Sequence, residues 1–373
     1  MNSDRGEDAV LDTLFLPIRH GRLAWPSGGA RLGAGGDDSA VLFLRARTGG
    51  AMQGWALPGL VCEQTFKPDV DALVRAGRRV ILPDEGTMPA EPGYALVLVL
   101  PPRQRDEARA LLARAVMAAR PGGRVLVCAS NNEGARSVQA DLERLAGSAD
   151  LMVKNKCRVL WSGPLHGAAD PVLAQAWVRL DAPRPIADGR YISRPGVFAW
   201  NRVDPASALL ASLLPAGLAG HAADLGAGYG YLSAQLLERC AGITTLDVIE
   251  AERRALDLAR VNLASFEARV ALDFLWCDVM AGLERSYDVI LTNPPFHAQR
   301  GVDRPDIGRR FVAVAAQALA GGGRLWLVAN RHLPYEAELS RGFAAVRTVA
   351  QAHGFKVIEA VKARSKALRS AVS

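Results

Sequence analysis

The residues best suited to chemistry are Thr292-Asn293-Pro294-Pro295-Phe296-His297, directly after an apolar, strand-like run at 287–291. Two consecutive prolines fix φ and remove two backbone donors, which makes a stiff turn. At the carboxyl end of a strand in an open α/β sheet, such a turn lies where ligands bind. The side-chain oxygen of Asn293 can accept a hydrogen bond from an amino group. The turn aims backbone carbonyls, that of Pro294 among them, into the same place. Phe296 supplies a flat face for stacking a base. Together they suit an sp2 amine whose lone pair is delocalised into a ring or an amide. Hydrogen bonds from its N–H groups raise lone-pair density and hold the nitrogen in line with an electrophile. Neither a metal nor a strongly shifted base is required. The competing reading is a Pro-Pro loop with a capping Asn. His297 is a weaker candidate, because a lone His is more often a surface or packing residue.

A second pattern supplies the electrophile. Ala223-Asp224-Leu225-Gly226-Ala227-Gly228-Tyr229-Gly230 follows a strand-like run and opens a helical one. Glycines there let the backbone turn sharply and approach a ligand closely. A dinucleotide fingerprint needs G-x-G-x-x-G, but Tyr stands at 231 and the third glycine comes one residue early. Asp224 would also repel a pyrophosphate, whereas a carboxylate suits a ligand carrying an ammonium and a sulfonium. The D-x-G-x-G-x-G spacing therefore points to S-adenosylmethionine (SAM). Glu250 lies 20 residues past Gly230 at the tip of the next strand-like run, where an acid can accept both ribose hydroxyls. Asp247 and Glu252 are nearby alternatives. Asp278, after a third such run, can take the hydrogen bond of the adenine amino group. The expected cofactor contacts are thus Asp224, Gly226, Ala227, Gly228, Gly230, Glu250, Asp278 and Asn293. The expected catalytic set is Asn293, Pro294 and Phe296, and the rival reading of the Gly-rich segment is a purely structural turn.

These motifs need a sheet to carry them. Strand-like segments at 221–225, 244–249, 270–276, 287–292, 324–329 and 355–361 alternate with helical patterns at 231–239, 251–266 and 305–319. Regular βα alternation argues for a mostly parallel, seven-stranded sheet with helices on both faces. The first half repeats phrases of the second. Pro121-Gly-Gly-Arg-Val-Leu-Val-Cys-Ala-Ser130 parallels Gly321-Gly-Gly-Arg-Leu-Trp-Leu-Val-Ala-Asn330, and Tyr94-Ala-Leu-Val-Leu-Val-Leu-Pro-Pro102 parallels Tyr287-Asp-Val-Ile-Leu-Thr-Asn-Pro-Pro295. Such repetition suggests a duplicated domain. The expected division is 1–180, a linker at 181–200 rich in Pro and Gly, and 201–373 as the catalytic domain. Leu100 stands where Asn293 does and cannot accept a hydrogen bond. The glycine cluster at 32–36 follows no strand. The first half therefore reads as a non-catalytic duplicate that aids folding or holds RNA.

At 373 residues, half of them hydrophobic and 22% charged, the chain can bury two cores. The longest apolar stretches fall far short of the ~20 residues that span a membrane. Residues 1–10 carry three acids and no apolar core, so no secretory signal is expected. Five scattered cysteines with no C-x-x-C argue against a disulfide framework and a zinc site, and fit a cytoplasmic protein. Lys and Arg total 45 against 38 acids, a net charge of +7. The excess is local: Lys154, Lys156 and Arg158; Arg300, Arg304, Arg309 and Arg310; and the tail from Lys356 to Arg369. This permits nucleic-acid binding. Only six of the basic residues are Lys, and codon bias accounts for much of the Arg excess.

The chain resembles a known family in several places at once. The 224–230 turn, residues 293–297, Val328-Ala-Asn-Arg-His-Leu-Pro-Tyr335, Phe355-Lys-Val357 and Pro195-Gly-Val-Phe198 look like those of bacterial ribosomal RNA guanine-N2 methyltransferases. That family comprises the small-subunit (16S rRNA) enzyme and its large-subunit relative. Ser130-Asn-Asn-Glu-Gly-Ala-Arg-Ser137 and Lys156-Cys-Arg158 are similar to the end of its degenerate amino-terminal domain. The resemblance implies two tandem Rossmann-like class I methyltransferase domains, SAM as cofactor and a flipped-out guanine of rRNA, free or within a subunit, as substrate. It calls for no membrane and no metal; a monomer is the working expectation. Asn-Pro-Pro-Phe is shared with enzymes acting on DNA adenine or protein glutamine, so those substrates stay open. So does a SAM- or RNA-binding module without turnover, against which the intact Asn293 argues.

Overall fold

The computed structural model describes residues 8–26, 40–83, 93–295 and 305–364. The glycine cluster at 32–36, Phe296, His297, Arg300, Arg304 and the tail from 365 lie outside them. The chain divides into two compact units, one of residues 1–183 with 194–196 and one of residues 184–193 with 197–373.

The first unit holds β1 (Val41–Leu44), β2 (Leu60–Glu63), β3 (Arg79–Ile81), β4 (Tyr94–Val99), β5 (Ala119–Ser130), β6 (Ala149–Lys154) and β7 (Cys157–Ser162). These form one sheet in the order β3-β2-β1-β4-β5-β7-β6. The second unit begins with a small antiparallel hairpin, β8 (Arg184–Ile186) and β9 (Tyr191–Ser193). It continues with β10 (Ala219–Leu225), β11 (Gly242–Glu250), β12 (Ala271–Trp276), β13 (Tyr287–Thr292), β14 (Leu319–Asn330), β15 (Ala345–Ala352) and β16 (Phe355–Val361). Its sheet runs β12-β11-β10-β13-β14-β16-β15, the same order as in the first unit. In both sheets only the last two pairings are antiparallel. The chain thus holds two Rossmann-like sheets of seven mostly parallel strands.

The central strands are buried on both faces, which is why they read as nearly continuous apolar runs. Val289, Ile290 and Leu291 of β13 are at most 2% exposed. Apolar side chains form one cluster on each face of the second sheet, with the helix Tyr231–Arg239 on one side and Pro305–Ala318 on the other. Against that background Asp224, Asp247 and Thr292 stand out as buried polar residues of β10, β11 and β13.

The structure corrects the sequence reading at the expected linker, residues 181–200. Ile186 and Tyr191 are buried in the second unit's core, so a short hairpin occupies much of that stretch. Strands of three residues, one containing Pro185, are too short to show a period. A helix at Pro205–Leu213 is likewise not among the helical segments expected from the sequence. Its start carries a legible signal: Asp204 accepts from the Ser207 backbone N–H at 2.7 Å as N-cap, and Pro205 sits in the first turn. The edge strand β15 is mostly exposed and also lacked an apolar pattern.

Candidate active site

The site is built at the carboxyl ends of β10, β11 and β13. β10 lies between the other two, with Leu225 in register with Ile249 on one side and with Thr292 on the other. After Leu225 the backbone turns through Gly226 (φ +74°), Gly228 (φ +57°) and Gly230 (φ +88°), left-handed conformations that L side chains rarely adopt. The Gly226 and Ala227 N–H groups donate to the Ile249 carbonyl at 2.9 and 3.1 Å, which ties the turn to β11. A Cβ on Gly228 would meet nothing within 4 Å, so the turn leaves open space there for a ligand. A Cβ on Gly230 would lie 3.2 Å from Ala259 Cβ, so this glycine serves helix packing.

Asp224 is wholly buried beneath that turn. Its Oδ2 accepts from Ser233 Oγ at 2.7 Å, whereas its buried Oδ1 has no partner. Burial first, and the nearby charge of Glu250 second, push its carboxyl up to about 7. Glu250 ends β11. Its Oε2 accepts from the Gly228 N–H at 2.8 Å and its Oε1 from the Glu252 N–H at 2.8 Å. Burial raises its pKa too, against those two backbone hydrogen bonds. Asp278 is half-buried after β12 and caps a short helical turn by accepting from the Met280 N–H at 2.8 Å. The Cys277 N–H donates to the Glu250 carbonyl at 3.2 Å, which fixes Asp278 beside the tip of β11.

Asn293 follows β13. Its Nδ2 donates to Asp204 Oδ2 at 3.0 Å and to Ser207 Oγ at 2.9 Å. Its buried Oδ1 has no partner among the described residues. The adjoining Thr292 Oγ1 donates to the Leu225 carbonyl at 2.8 Å, so the Asn-Pro-Pro turn is pinned to the start of the glycine turn. Pro294 is buried and Pro295 exposed. The site thus gathers Asp224, Gly226, Ala227, Gly228, Gly230, Glu250, Asn293 and Pro294 at the carboxyl ends of β10, β11 and β13, with Asp278 added from the end of the neighbouring β12.

Two acids weighed as ribose partners are spent elsewhere. Asp247 is buried within β11, where Tyr287 Oη donates at 2.8 Å, Arg285 Nη1 at 3.0 Å, and His221 Nε2 lies 3.2 Å away. Glu252 caps the helix Arg253–Leu263. Spacing alone could not separate these from Glu250. Sequence reasoning also missed Asp204 and Ser207, which lie 89 and 86 residues from the Asn293 they hold. The legible cue was the Asp-Pro helix start. Several basic residues prove structural: Lys356 Nζ is buried on the Leu333 carbonyl and Glu336, Lys362 Nζ donates to the Ala316 carbonyl, and Arg310 Nε to that of Met280.

Comparison with known proteins points the same way. The family model "Methyltransferase small domain" matches residues 188–359. The ribosomal RNA small subunit methyltransferase C of Shewanella amazonensis is 32% identical over 267 residues, 71% of this chain and 76% of that protein. Its counterpart in Pseudomonas aeruginosa is 33% identical over 265 residues, 69% of this chain and 76% of that protein. Among solved structures, the T. thermophilus 16S rRNA N2-guanine methyltransferase, in complex with AdoMet and guanosine, superposes with a TM-score of 0.75 at 28% identity. That match covers 96% of this chain and 93% of the other.

Proposed function

The chain belongs to the ribosomal RNA small subunit methyltransferase C family, and from that premise we propose how its residues perform SAM-dependent methylation of a guanine N2 in small-subunit rRNA. The observation that carries the reading is the buried Oδ1 of Asn293, which has no partner among the described residues. A buried acceptor without a partner costs free energy unless a ligand supplies the donor. A guanine exocyclic amine supplies N–H groups, and the position is where open α/β sheets bind ligands.

The described residues fit the cofactor. The open space over Gly228, the partnerless Oδ1 of Asp224 and the half-buried Glu250 carboxylate form an acidic, glycine-lined cradle suited to a cation with a ribose. Bound there, SAM supplies an electrophilic methyl group. Asp224 sets a negative field beneath the cradle. Glu250 keeps a lone pair on each oxygen after its two backbone hydrogen bonds, enough to accept from ribose hydroxyls. Asp278 takes the adenine amino group.

At the other side, Asn293 Oδ1 and the Pro294 carbonyl accept from the two N–H groups of the target amine. Their hydrogen bonds hold its lone pair along the direction of attack and enrich it. Neither acceptor takes up a proton, so the one released leaves to water. Phe296, outside the described residues, is assigned the stacking face for the flipped base. The first unit is assigned no turnover, and the rRNA substrate places the work in the cytoplasm.

The test is methyl transfer from tritiated SAM to small ribosomal subunits or rRNA of a strain lacking the endogenous enzyme, followed by mapping of the labelled base. Label in guanine N2 of small-subunit rRNA is the expected outcome. Label in DNA or protein instead, or none, overturns the reading.

A further inference from the structure

Asn293 is an amide, and an amide works as an acceptor only if its oxygen faces the right way. Oxygen and NH2 are nearly isosteric, so the surroundings must choose. Here the choice is made by Asp204. A carboxylate only accepts, so the atom of Asn293 that lies 3.0 Å from Asp204 Oδ2 must be the nitrogen. Ser207 Oγ takes the second N–H at 2.9 Å. Both donors of the amide are then spent, and Oδ1 is left buried with no partner among the described residues.

Asp204 is itself held. Its Oδ2 also accepts from the Ser207 backbone N–H at 2.7 Å, as cap of the helix Pro205–Leu213. A negative charge at that helix start is favoured by the helix dipole. The charge does a second thing. A carboxylate pulling on an amide N–H increases the amide's polarisation and makes its oxygen a stronger acceptor.

Resting on the site reading above, we infer that Asp204, with Ser207, is a positioning residue: it fixes the Asn293 amide with its oxygen toward the substrate amine and strengthens that oxygen as an acceptor. Asp204 touches no reacting atom in this scheme; it acts through Asn293.

The test is a double-mutant cycle on the full chain, read as kcat and KM for tritiated methyl transfer to unmethylated small subunits. Asp204→Ala should lower kcat by about 10²-fold, the typical cost of a misplaced reacting group, with the SAM KM little changed. In the Asn293→Ala background Asp204→Ala should cost almost nothing more, because its route of action is already gone. Asp204→Asn keeps both an acceptor and a helix cap while losing the charge, and should recover most, though not all, of the kcat. Ser207→Ala leaves the Asp204 cap in place and should lower kcat less than Asp204→Ala does. Asp204→Asn and Ser207→Ala keep the inference open to failure if Asp204→Ala does not fold. Wild-type kcat in both Asp204→Asn and Ser207→Ala, or a full further loss when Asp204→Ala is added to Asn293→Ala, overturns the inference. Wild-type turnover in Asn293→Ala alone overturns the site reading instead, whatever the Asp204 variants do.

Discussion

The two sheets share one strand order and differ where the second carries its site. In the first, Leu44 is in register with Val99 and Glu63; in the second, Leu225 is in register with Thr292 and Ile249. Position by position, Phe43 then stands for Asp224, Arg45 for Gly226, Gln64 for Glu250 and Leu100 for Asn293. Arg45 keeps the left-handed backbone of its counterpart, φ +53° against +74°, yet carries a side chain, paired to Glu107 at 2.9 Å, where Gly226 has none. Arg47 pairs with Asp8 in the same loop. Gln64 Nε2 donates to the Ala46 carbonyl at 2.6 Å, whereas Glu250 accepts from the Gly228 N–H. The lesson is that a sheet's topology makes a crevice, and side chains decide whether it stays open. In one unit the crevice end is acidic and lined with glycine. In the other the corresponding turn carries Arg45 and Arg47, each paired with an acid, and Phe43 and Leu100, both in the core, stand where Asp224 and Asn293 do.

The largest effect should come from the acceptor that only the second sheet has. Asn293→Ala should reduce methyl transfer by a factor on the order of 10²–10³, as loss of one preorganised hydrogen-bonding group at a reacting centre typically does. SAM affinity, measured by calorimetry, should stay near wild type, because the side chain acts mainly on the amine. The converse change, Leu100→Asn, should create no second activity, since Arg45 and Phe43 still close that end. Near-wild-type transfer by Asn293→Ala would break the comparison at its centre.

Cofactor binding ranks next. Calorimetry should find one SAM per chain, and two per chain would mean that the first unit binds it as well. Glu250→Ala should weaken SAM by roughly 10- to 100-fold, the usual range for hydrogen bonds to a charged group. Asp224 adds a pH signature. Its carboxyl is pushed up to about 7 by burial, well above its unfolded value. A cation is bound better by the ionised form, so SAM affinity should rise as pH climbs through 7 and then level off. Stability runs the other way. Between about pH 4 and 7 the folded state holds a proton that the unfolded chain has released, so stability falls as pH rises through that window. In Asp224→Asn the melting temperature should lose most of that fall, and the SAM affinity most of its rise. A wild-type pH profile for both quantities in the variant would remove Asp224 from the account.

How much of this was legible in the chain depends on the range of the interactions. The glycine turn and the Asn-Pro-Pro turn are local, and each announces itself because backbone conformation requires those residue types in those places. The mostly parallel architecture of the second unit is legible in its alternation of strand and helix patterns, whereas the strand order is not. What escaped were contacts between segments far apart in sequence. Asp204 looks like any helix cap until the fold brings Asn293 to it. Asp247 and Glu250 are three residues apart at one strand tip, and only burial shows that the first is consumed by Tyr287, Arg285 and His221. The true counterpart of the glycine turn, Arg45-Ala46-Arg47, was hidden because it contains no glycine; Gly49 and Gly50 come only after it.

The smallest effect tests what the first sheet gained. Its carboxyl edge carries the hairpin turn between β6 and β7, since Cys157 pairs with Ser130 at the end of β5. Asn155 and Lys156 both have positive φ, 51° and 57°, as a two-residue hairpin turn with matched twist requires. The turn presents Lys154 and Lys156 to solvent. Arg158, grouped with them in the sequence, is half-buried and donates to Gln139 Oε1 at 2.9 Å. If the lysines contact phosphates, each neutralised charge contributes about 0.7 to 0.9 to the log–log dependence of RNA affinity on salt. The double variant Lys154→Ala/Lys156→Ala should therefore flatten that slope by about 1.4 to 1.8, with little change in melting temperature because both side chains are exposed. Arg158→Ala should add less than a full contact to the slope, and should lower stability by breaking its bond to Gln139. Titrating 16S rRNA at a series of KCl concentrations decides it. An unchanged slope in the double variant would show that this edge is solvated surface and that the hairpin turn makes no phosphate contact.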